Sequence, residues 1–125
     1  MKKEIFNGNC HIATLAQNGD AQAFDFYVKV PRSEFNGNYY DGFTLKCTID
    51  YPLKESYTFK VEMYDSMFND KFVKVSIVPI AIQVAEQYQK LWNENESLFE
   101  GHHIGDLYIE SMAIDNGELI VEVGS

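Results

Sequence analysis

Histidine and cysteine are the residue types in this sequence whose spacing could build a metal site or a nucleophilic centre. The histidines are His11, His102 and His103, and the cysteines are Cys10 and Cys47. Neighbouring residues in an extended chain point to opposite sides, so neither His102–His103 nor Cys10–His11 is expected to converge on one ligand. The sequence contains no HxH, HExxH, GxSxG, P-loop or GxGxxG pattern. We therefore expect no catalytic residue, no metal and no cofactor.

Length and composition predict one acidic globular domain spanning residues 1–125. The 125 residues are 46% hydrophobic and 14% aromatic, which is enough to bury a core. The formal net charge is -9 and Arg32 is the sole arginine, so phosphate contacts with nucleic acid are not expected. No apolar run approaches the ~20 residues of a membrane span, and no signal-peptide pattern precedes Cys10. These features predict a cytoplasmic protein with free thiols that contacts neither membrane nor nucleic acid directly.

The acidic residues are concentrated in the C-terminal third of the chain. Residues 1–85 contain ten acidic and nine basic residues, a net of -1, whereas residues 86–125 contain nine acids and one base, a net of -8. Such a field would steer a basic partner protein and raise its association rate. The alternative is that the acids serve only solubility. On the first interpretation, the acidic partner-binding residues are Glu86, Glu94, Glu96, Glu100, Asp106, Glu110, Glu118 and Glu122.

The segment 31–42 is a second candidate surface. Twelve residues are long for a connection between strands, and long loops are often functional. Tyr39 and Tyr40 in this segment, together with Tyr108, belong to the aromatic type that anchors protein interfaces. The alternative is that the aromatic residues of the segment, including Phe35, fold back over the sheet edge as local core.

Alternation of apolar and polar residues predicts strands in the first half of the chain. The clearest runs cover 23–30, 43–50 and 57–64, and weaker or shorter runs cover 10–16 and 72–78. Asn-Gly at residues 18–19 supplies the positive φ angles of a tight hairpin. Together these runs predict a five-stranded antiparallel meander over residues 9–78.

The apolar period changes from two to 3.6 at Pro79, which is well placed at a first helical position. The pattern predicts one long helix over 79–97, with Trp92 largely buried against the sheet. Its apolar stripe consists of Ala81, Val84, Ala85, Tyr88, Leu91 and Trp92.

Two further strands, roughly 105–114 and 118–123, are predicted after the helix. Asn116-Gly117 joins them, and a two-residue turn there would pair Ile114 with Leu119 and Met112 with Val121. The order of elements predicts the α+β class. We expect a mostly antiparallel sheet of about seven strands, formed by the meander and this C-terminal hairpin, with the long helix packed on it.

Three segments carry a family resemblance: Leu91-Trp92-Asn93-Glu94, residues 104–114 and Gly117-Glu118-Leu119. In these segments the chain resembles small bacterial domains of unknown function, some of which occur alongside polymorphic-toxin immunity proteins. The resemblance implies an immunity-type role and assigns no individual functional residue.

Three hypotheses of function remain open at this point. The leading one is a non-catalytic inhibitor or immunity-type protein that occludes a basic partner protein, such as a toxin or a nuclease. The second is a phage or mobile-element anti-defence protein whose carboxylates imitate the phosphates of nucleic acid. The third is a structural or small-ligand-binding β-rich domain, which would be marked by a deep apolar pocket.

Overall fold

The computed structural model describes residues 2–17, 27–35, 44–63, 67–68 and 71–125. The strands in these residues are β1 Lys3–His11, β2 Tyr27–Pro31, β3 Thr44–Ile49, β4 Tyr57–Glu62, β5 Met67–Phe68, β6 Phe72–Ser76, β7 Tyr108–Asp115 and β8 Glu118–Gly124. The α-helices are α1 Ile12–Gln17 and α2 Ile77–Glu94, and short 3-10 helices cover Arg32–Glu34, Glu96–Phe99 and Ile104–Asp106.

The strands form two sheets. The larger sheet has the order β1-β7-β8-β3-β4 and is antiparallel except for the β3–β8 pair, which is parallel. The smaller sheet has the order β2-β6-β5 and is antiparallel. Buried residues of both sheets and of α2 belong to one hydrophobic cluster. The α+β class with one long helix on a mostly antiparallel sheet is therefore confirmed.

The predicted meander is wrong in its connectivity. Only β3 and β4 form a hairpin of the kind expected, whereas β2 pairs with β6 in the smaller sheet and β1 pairs with β7. The described residues contain eight strands, and the one without a predicted counterpart is the two-residue strand β5. Alternation identifies a strand and its buried face, but it does not identify the neighbouring strand. The predicted turn at residues 18–19 lies outside the described residues.

The first strand begins earlier in the sequence than predicted. The predicted strand over 10–16 is corrected to β1, Lys3–His11, and most of the predicted segment forms α1. The register of β1 against β7 shifts twice, between Glu4 and Phe6 and between Asn7 and Cys10. Bulges of this kind interrupt the alternation by which a strand is recognised, so residues 3–9 show no alternating run in the sequence.

The long helix begins two residues earlier and ends three residues earlier than the predicted 79–97. Pro79 is its third residue, a position whose backbone N–H also lacks a partner within the helix, so proline is tolerated there for the same reason. The helix ends at Glu94, and Asn95 accepts a hydrogen bond from the Ser97 backbone N–H at the start of the following 3-10 helix. The predicted strands 72–78 and 105–114 are likewise trimmed by helical residues, to 72–76 and 108–115.

Trp92 is half-buried and packs against the core cluster, so it lies on the buried side of α2 but is more exposed than the other residues of the predicted stripe. Its ring contacts Phe99 and His103 edge-on, with ring centroids 5.1 and 4.8 Å apart. Phe99, from the 3-10 helix after α2, takes the fully buried position instead. The other predicted members of the stripe, from Ala81 to Leu91, are buried as expected.

A side chain of α2 forms hydrogen bonds with the outer edge of β4 at Glu62. The Gln83 amide nitrogen donates to the Glu62 carbonyl oxygen at 2.7 Å, and the Gln83 amide oxygen accepts from the Glu62 backbone N–H at 2.8 Å. An edge strand otherwise leaves such groups available to another chain. Gln83 therefore occupies the position that a further strand would take.

Both cysteines are free, as expected. Cys10 lies in β1 and Cys47 in β3, and two strands separate them in the sheet, so they are roughly 14 Å apart at the usual spacing between strands. Burial raises the pKa of the Cys47 thiol from its ordinary value of 9.0 to about 12. The folded state thus holds this thiol neutral at pH values where the unfolded chain would ionise it.

This pKa difference predicts a loss of stability at alkaline pH. The stabilising contribution of the neutral Cys47 thiol is complete below pH 9 and is lost as the pH rises towards about 12. Between pH 8 and pH 10 we expect Cys47 alone to lower the free energy of unfolding by about 1 kcal/mol. Urea denaturation of the wild type and of Cys47→Ala at both pH values measures this difference.

The Cys47→Ala variant is expected to be less stable at pH 8 but to lose less stability between pH 8 and pH 10. Cys10→Ala is the control. Burial also raises the pKa of the Cys10 thiol, but this residue is only half-buried, so its removal should change the pH dependence of stability less than Cys47→Ala does. Equal pH slopes for the wild type and for Cys47→Ala would contradict the assignment to Cys47.

Candidate partner-binding surface

The eight acidic residues singled out in the sequence are all exposed, but they fall into three groups. Glu86 and Glu94 lie on α2. A second group lies between α2 and β7, and a third lies on the β7–β8 hairpin. The second group is Glu96, Glu100 and Asp106, and the third is Glu110, Glu118 and Glu122. The structure therefore divides the predicted acidic surface into separate patches.

The register of the β7–β8 hairpin places Glu110 next to Glu122. Ile109 pairs with Val123 and Ser111 pairs with Glu122, which leaves Glu110 as the extra residue of a bulge. The Glu110 carboxylate lies over Gly124, where a side chain would overlap it. Glu110 and Glu122 thus lie close together on neighbouring strands, and neither forms an ion pair with a described residue, although Lys2 lines the same cleft.

An open cleft of about 540 Å³ lies on one side of this pair. Its lining includes Glu4 of β1 in addition to Glu110 and Glu122, and Ala113 and Ile120 contribute apolar surface. Glu4 belongs to the site because it pairs with Ala113 across the β1–β7 ladder. The Glu4 carboxylate accepts a hydrogen bond from the Asn7 amide at 2.9 Å. Lys2 also lines the cleft, so its three carboxylates outnumber its one ammonium group and leave a net negative charge that favours a cationic group.

A second cleft of about 380 Å³ lies on the other side of Glu110 and Glu122, which line both. Here the neighbours are Asp50 and Tyr51, which directly follow β3, together with Val121 and Val123. Tyr51 is 43% exposed, and its carbonyl oxygen accepts a hydrogen bond from the buried Tyr88 hydroxyl at 2.7 Å. This cleft combines carboxylates with apolar walls, which suits the long aliphatic stem and charged head of lysine or arginine.

Tyr108 stands at the start of β7, two residues before Glu110, and is 39% exposed. Its ring centroid is 5.1 Å from that of His11. His11 is held at both ring nitrogens, with Nε2 2.6 Å from the Gly105 carbonyl oxygen and Nδ1 2.6 Å from the Thr14 hydroxyl. A fixed neighbour of this kind restricts the position of the exposed tyrosine.

The other predicted partner-binding residues do not add to the cluster of negative charge at Glu110 and Glu122. Glu86 and Glu94 line a shallow groove of about 410 Å³ that also contains Lys90. Glu118 lies 3.9 Å from the Lys46 ammonium group. Tyr39 and Tyr40 lie outside the described residues, and Phe35 is buried in the core, in agreement with the fold-back alternative for that residue.

The described residues contain no group of three or more histidine, cysteine, aspartate or glutamate side chains arranged to hold a metal ion. His103 instead accepts a hydrogen bond from the Gly105 backbone N–H, and His102 packs edge-on against Tyr51. Neither of the two described α-helices has the length and apolar character needed to cross a membrane.

Sequence reasoning missed Glu4, Asp50 and Tyr51. They lie far along the chain from β7 and β8 and reach the site only through the pairing of β1 with β7 and of β3 with β8. No local pattern in the sequence marks these three residues.

Comparisons with protein-family models, with curated proteins and with solved structures found no match.

Proposed function

We propose that this protein is a non-catalytic inhibitor of the immunity type that occludes a basic partner protein. The surface that carries the proposal is called here the sheet acidic surface and consists of Glu4, Asp50, Glu110 and Glu122 with Tyr51 and Tyr108. The main supporting observation is that Glu110 and Glu122 both line two open clefts and form no ion pair with a described residue, although Lys2 lines the first cleft with them.

The energetics of this arrangement favour a basic partner. Like charges side by side on neighbouring strands are destabilising, so Glu110 and Glu122 repel one another in the free protein. A lysine or arginine placed in either cleft would relieve that repulsion at the same time as it gains its own attraction. The exposed tyrosines at the margins would supply the aromatic contacts that dominate many interfaces. The relief of repulsion and the aromatic contacts are both gained only when the partner binds.

The two other hypotheses receive less support from the same surface. A nucleic-acid mimic would need its acids at phosphate-like spacing along one face, whereas here they lie in three patches on a helix, a connecting segment and a hairpin. A small-ligand-binding domain would need a deep apolar pocket. The clefts beside Glu110 and Glu122 are open and lined by carboxylates.

Capture of the partner from the native host tests the proposal. The wild type is compared with a Glu110→Lys/Glu122→Lys bait and with a Glu86→Lys/Glu94→Lys bait. Each double variant changes the formal net charge equally, from -9 to -5, since each reversal adds two units. We expect the first variant to lose most of the captured basic protein and the second to retain it.

Equal loss with both baits, or no loss with the first, would contradict the assignment to the sheet acidic surface. Nucleic acid added to the capture distinguishes the mimicry hypothesis. A mimic competes with DNA or RNA for its target, and an inhibitor that acts elsewhere on the target does not.

A further inference from the structure

The outward face of the smaller sheet carries two lysines directly opposite each other. Lys29 of β2 pairs with Lys74 of β6, and both side chains are exposed. Neither forms an ion pair with a described carboxylate. Like charges at directly opposed positions of an antiparallel pair are destabilising. A bound anionic group would remove this cost.

Two exposed aromatic residues flank the lysine pair. Tyr27 is 49% exposed and Phe72 is 39% exposed. Alternation directs Val30 and Val73 into the core, so Tyr27, Lys29, Phe72 and Lys74 share the outward face, which is called here the lysine face. The Lys74 ammonium group lies 4.5 Å from the centre of the Tyr27 ring, a favourable cation–π contact that fixes both side chains.

The lysine face and the sheet acidic surface carry opposite net charges, and each has exposed aromatic residues beside its charged pair. The exposed large hydrophobic residues in the described part of the chain are Tyr27, Tyr51, Phe72 and Tyr108. Two of them flank the paired lysines on β2 and β6, and two flank the paired glutamates on β7 and β8. Each surface thus presents a pair of like charges near aromatic rings, and in neither pair does a residue form an ion pair with another described residue.

We propose that the lysine face of one copy of this protein binds the sheet acidic surface of a second copy. The two surfaces are different, so the contact is head to tail, and further copies can add until a ring closes. Each copy carries a net charge of -9, and the copies therefore repel one another at long range. The attraction acts at contact, within the screening length of about 10 Å at 0.1 M salt. Association is therefore expected to depend strongly on protein concentration.

The inference goes beyond the proposed function, because it assigns a second surface and a second occupant. It also has a consequence for that function. A neighbouring copy and the basic partner would compete for Glu110 and Glu122. The partner would then bind the monomer and shift the equilibrium from assembled copies towards the monomer.

Analytical ultracentrifugation of charge-reversed variants tests the inference. The variant Lys29→Glu/Lys74→Glu has a net charge of -13, and Glu110→Lys/Glu122→Lys has a net charge of -5, since each reversal changes the charge by two units. We expect the average mass of the wild type to rise with concentration and that of each variant to stay monomeric. In a mixture of the two variants every docking contact again joins opposite charges, so association should return.

Lys54→Glu/Lys90→Glu is the matched control, because it also reaches -13 and changes exposed lysines away from the lysine face. It should associate like the wild type. Circular dichroism verifies that each variant is folded. A monomeric wild type at every concentration, or a mixture that stays monomeric, would overturn the inference.

A fluorescent single-stranded oligonucleotide is the competing occupant to test. Binding by a monomeric wild type that is lost in Lys29→Glu/Lys74→Glu would overturn the inference and assign the lysine face to nucleic acid. Partner capture by Lys29→Glu/Lys74→Glu separates the two proposals. This variant keeps the sheet acidic surface and should capture the basic partner whether or not the protein self-associates.

Discussion

Replacement of Phe99 by alanine is expected to lower the free energy of unfolding by about 3 to 5 kcal/mol. The Phe99 ring is fully buried and packs against Tyr88 and Trp92, at centroid distances of 6.3 and 5.1 Å. Its removal eliminates a large apolar area and leaves a cavity between α2 and the segment that follows it. Urea denaturation monitored by circular dichroism measures the loss.

Leu98→Ala is the control for this prediction, since Leu98 precedes Phe99 and is only partly buried. Its effect should be less than half as large. The emission of Trp92 should shift to longer wavelength in Phe99→Ala, because one of its two aromatic neighbours is lost. A destabilisation below about 1 kcal/mol would show that the 3-10 helix does not belong to the core.

Reversal of the three glutamates on the β7–β8 hairpin is expected to slow association with the basic partner by more than about tenfold at low salt. The variant is Glu110→Lys/Glu118→Lys/Glu122→Lys, with a net charge of -3. Electrostatic steering depends on the field around the docking surface, and the Debye length falls from about 30 Å at 0.01 M salt to about 8 Å at 0.15 M. The difference from the wild type should therefore shrink as salt is added. Stopped-flow or surface-based kinetics with the captured partner provide the rates.

The control changes three acids outside the hairpin, in the variant Glu86→Lys/Glu94→Lys/Glu96→Lys. Its net charge is also -3, so any effect of overall charge is the same in both variants. The hairpin variant should be slower than this control by a clear margin. If the two variants associate at the same rate, the net charge steers the partner and the sheet acidic surface is not the docking site. If neither differs from the wild type, the acids serve solubility only.

Features that depend on neighbouring residues could be predicted from the sequence. Leu45, Cys47 and Ile49 of β3 are buried as their alternation indicates. The hairpin at Asn116-Gly117 has the expected pairs of Ile114 with Leu119 and of Met112 with Val121. Asn116 and Gly117 have φ angles of 51° and 82°, values that asparagine and glycine tolerate. Turn chemistry and alternation together fix such a register locally.

Features that depend on distant pairing could not be predicted in this way. Nothing in the sequence of β1 indicates that it pairs with β7, and nothing in β3 indicates that β8 lies beside it. The candidate site shares this property. The acids of the hairpin were identified from composition, but Glu4 and Asp50 join them only through the order of strands in the sheet. Glu86 and Glu94 lie on α2, outside the sheet.

The position of β7 and β8 in the larger sheet also has a consequence for synthesis on the ribosome. They are the central partners of the sheet but follow all its other strands along the chain, and Lys3 pairs with Ile114. β3 and β4 can form their hairpin soon after both have emerged, whereas β1 waits for most of the chain to be translated. At about 5 to 20 residues per second this wait lasts on the order of 5 to 20 seconds. Throughout that time the nascent chain exposes the unpaired backbone of β1 to chaperones and to other nascent chains, so the rate of translation through residues 12–107 sets how long the protein is vulnerable to mispairing.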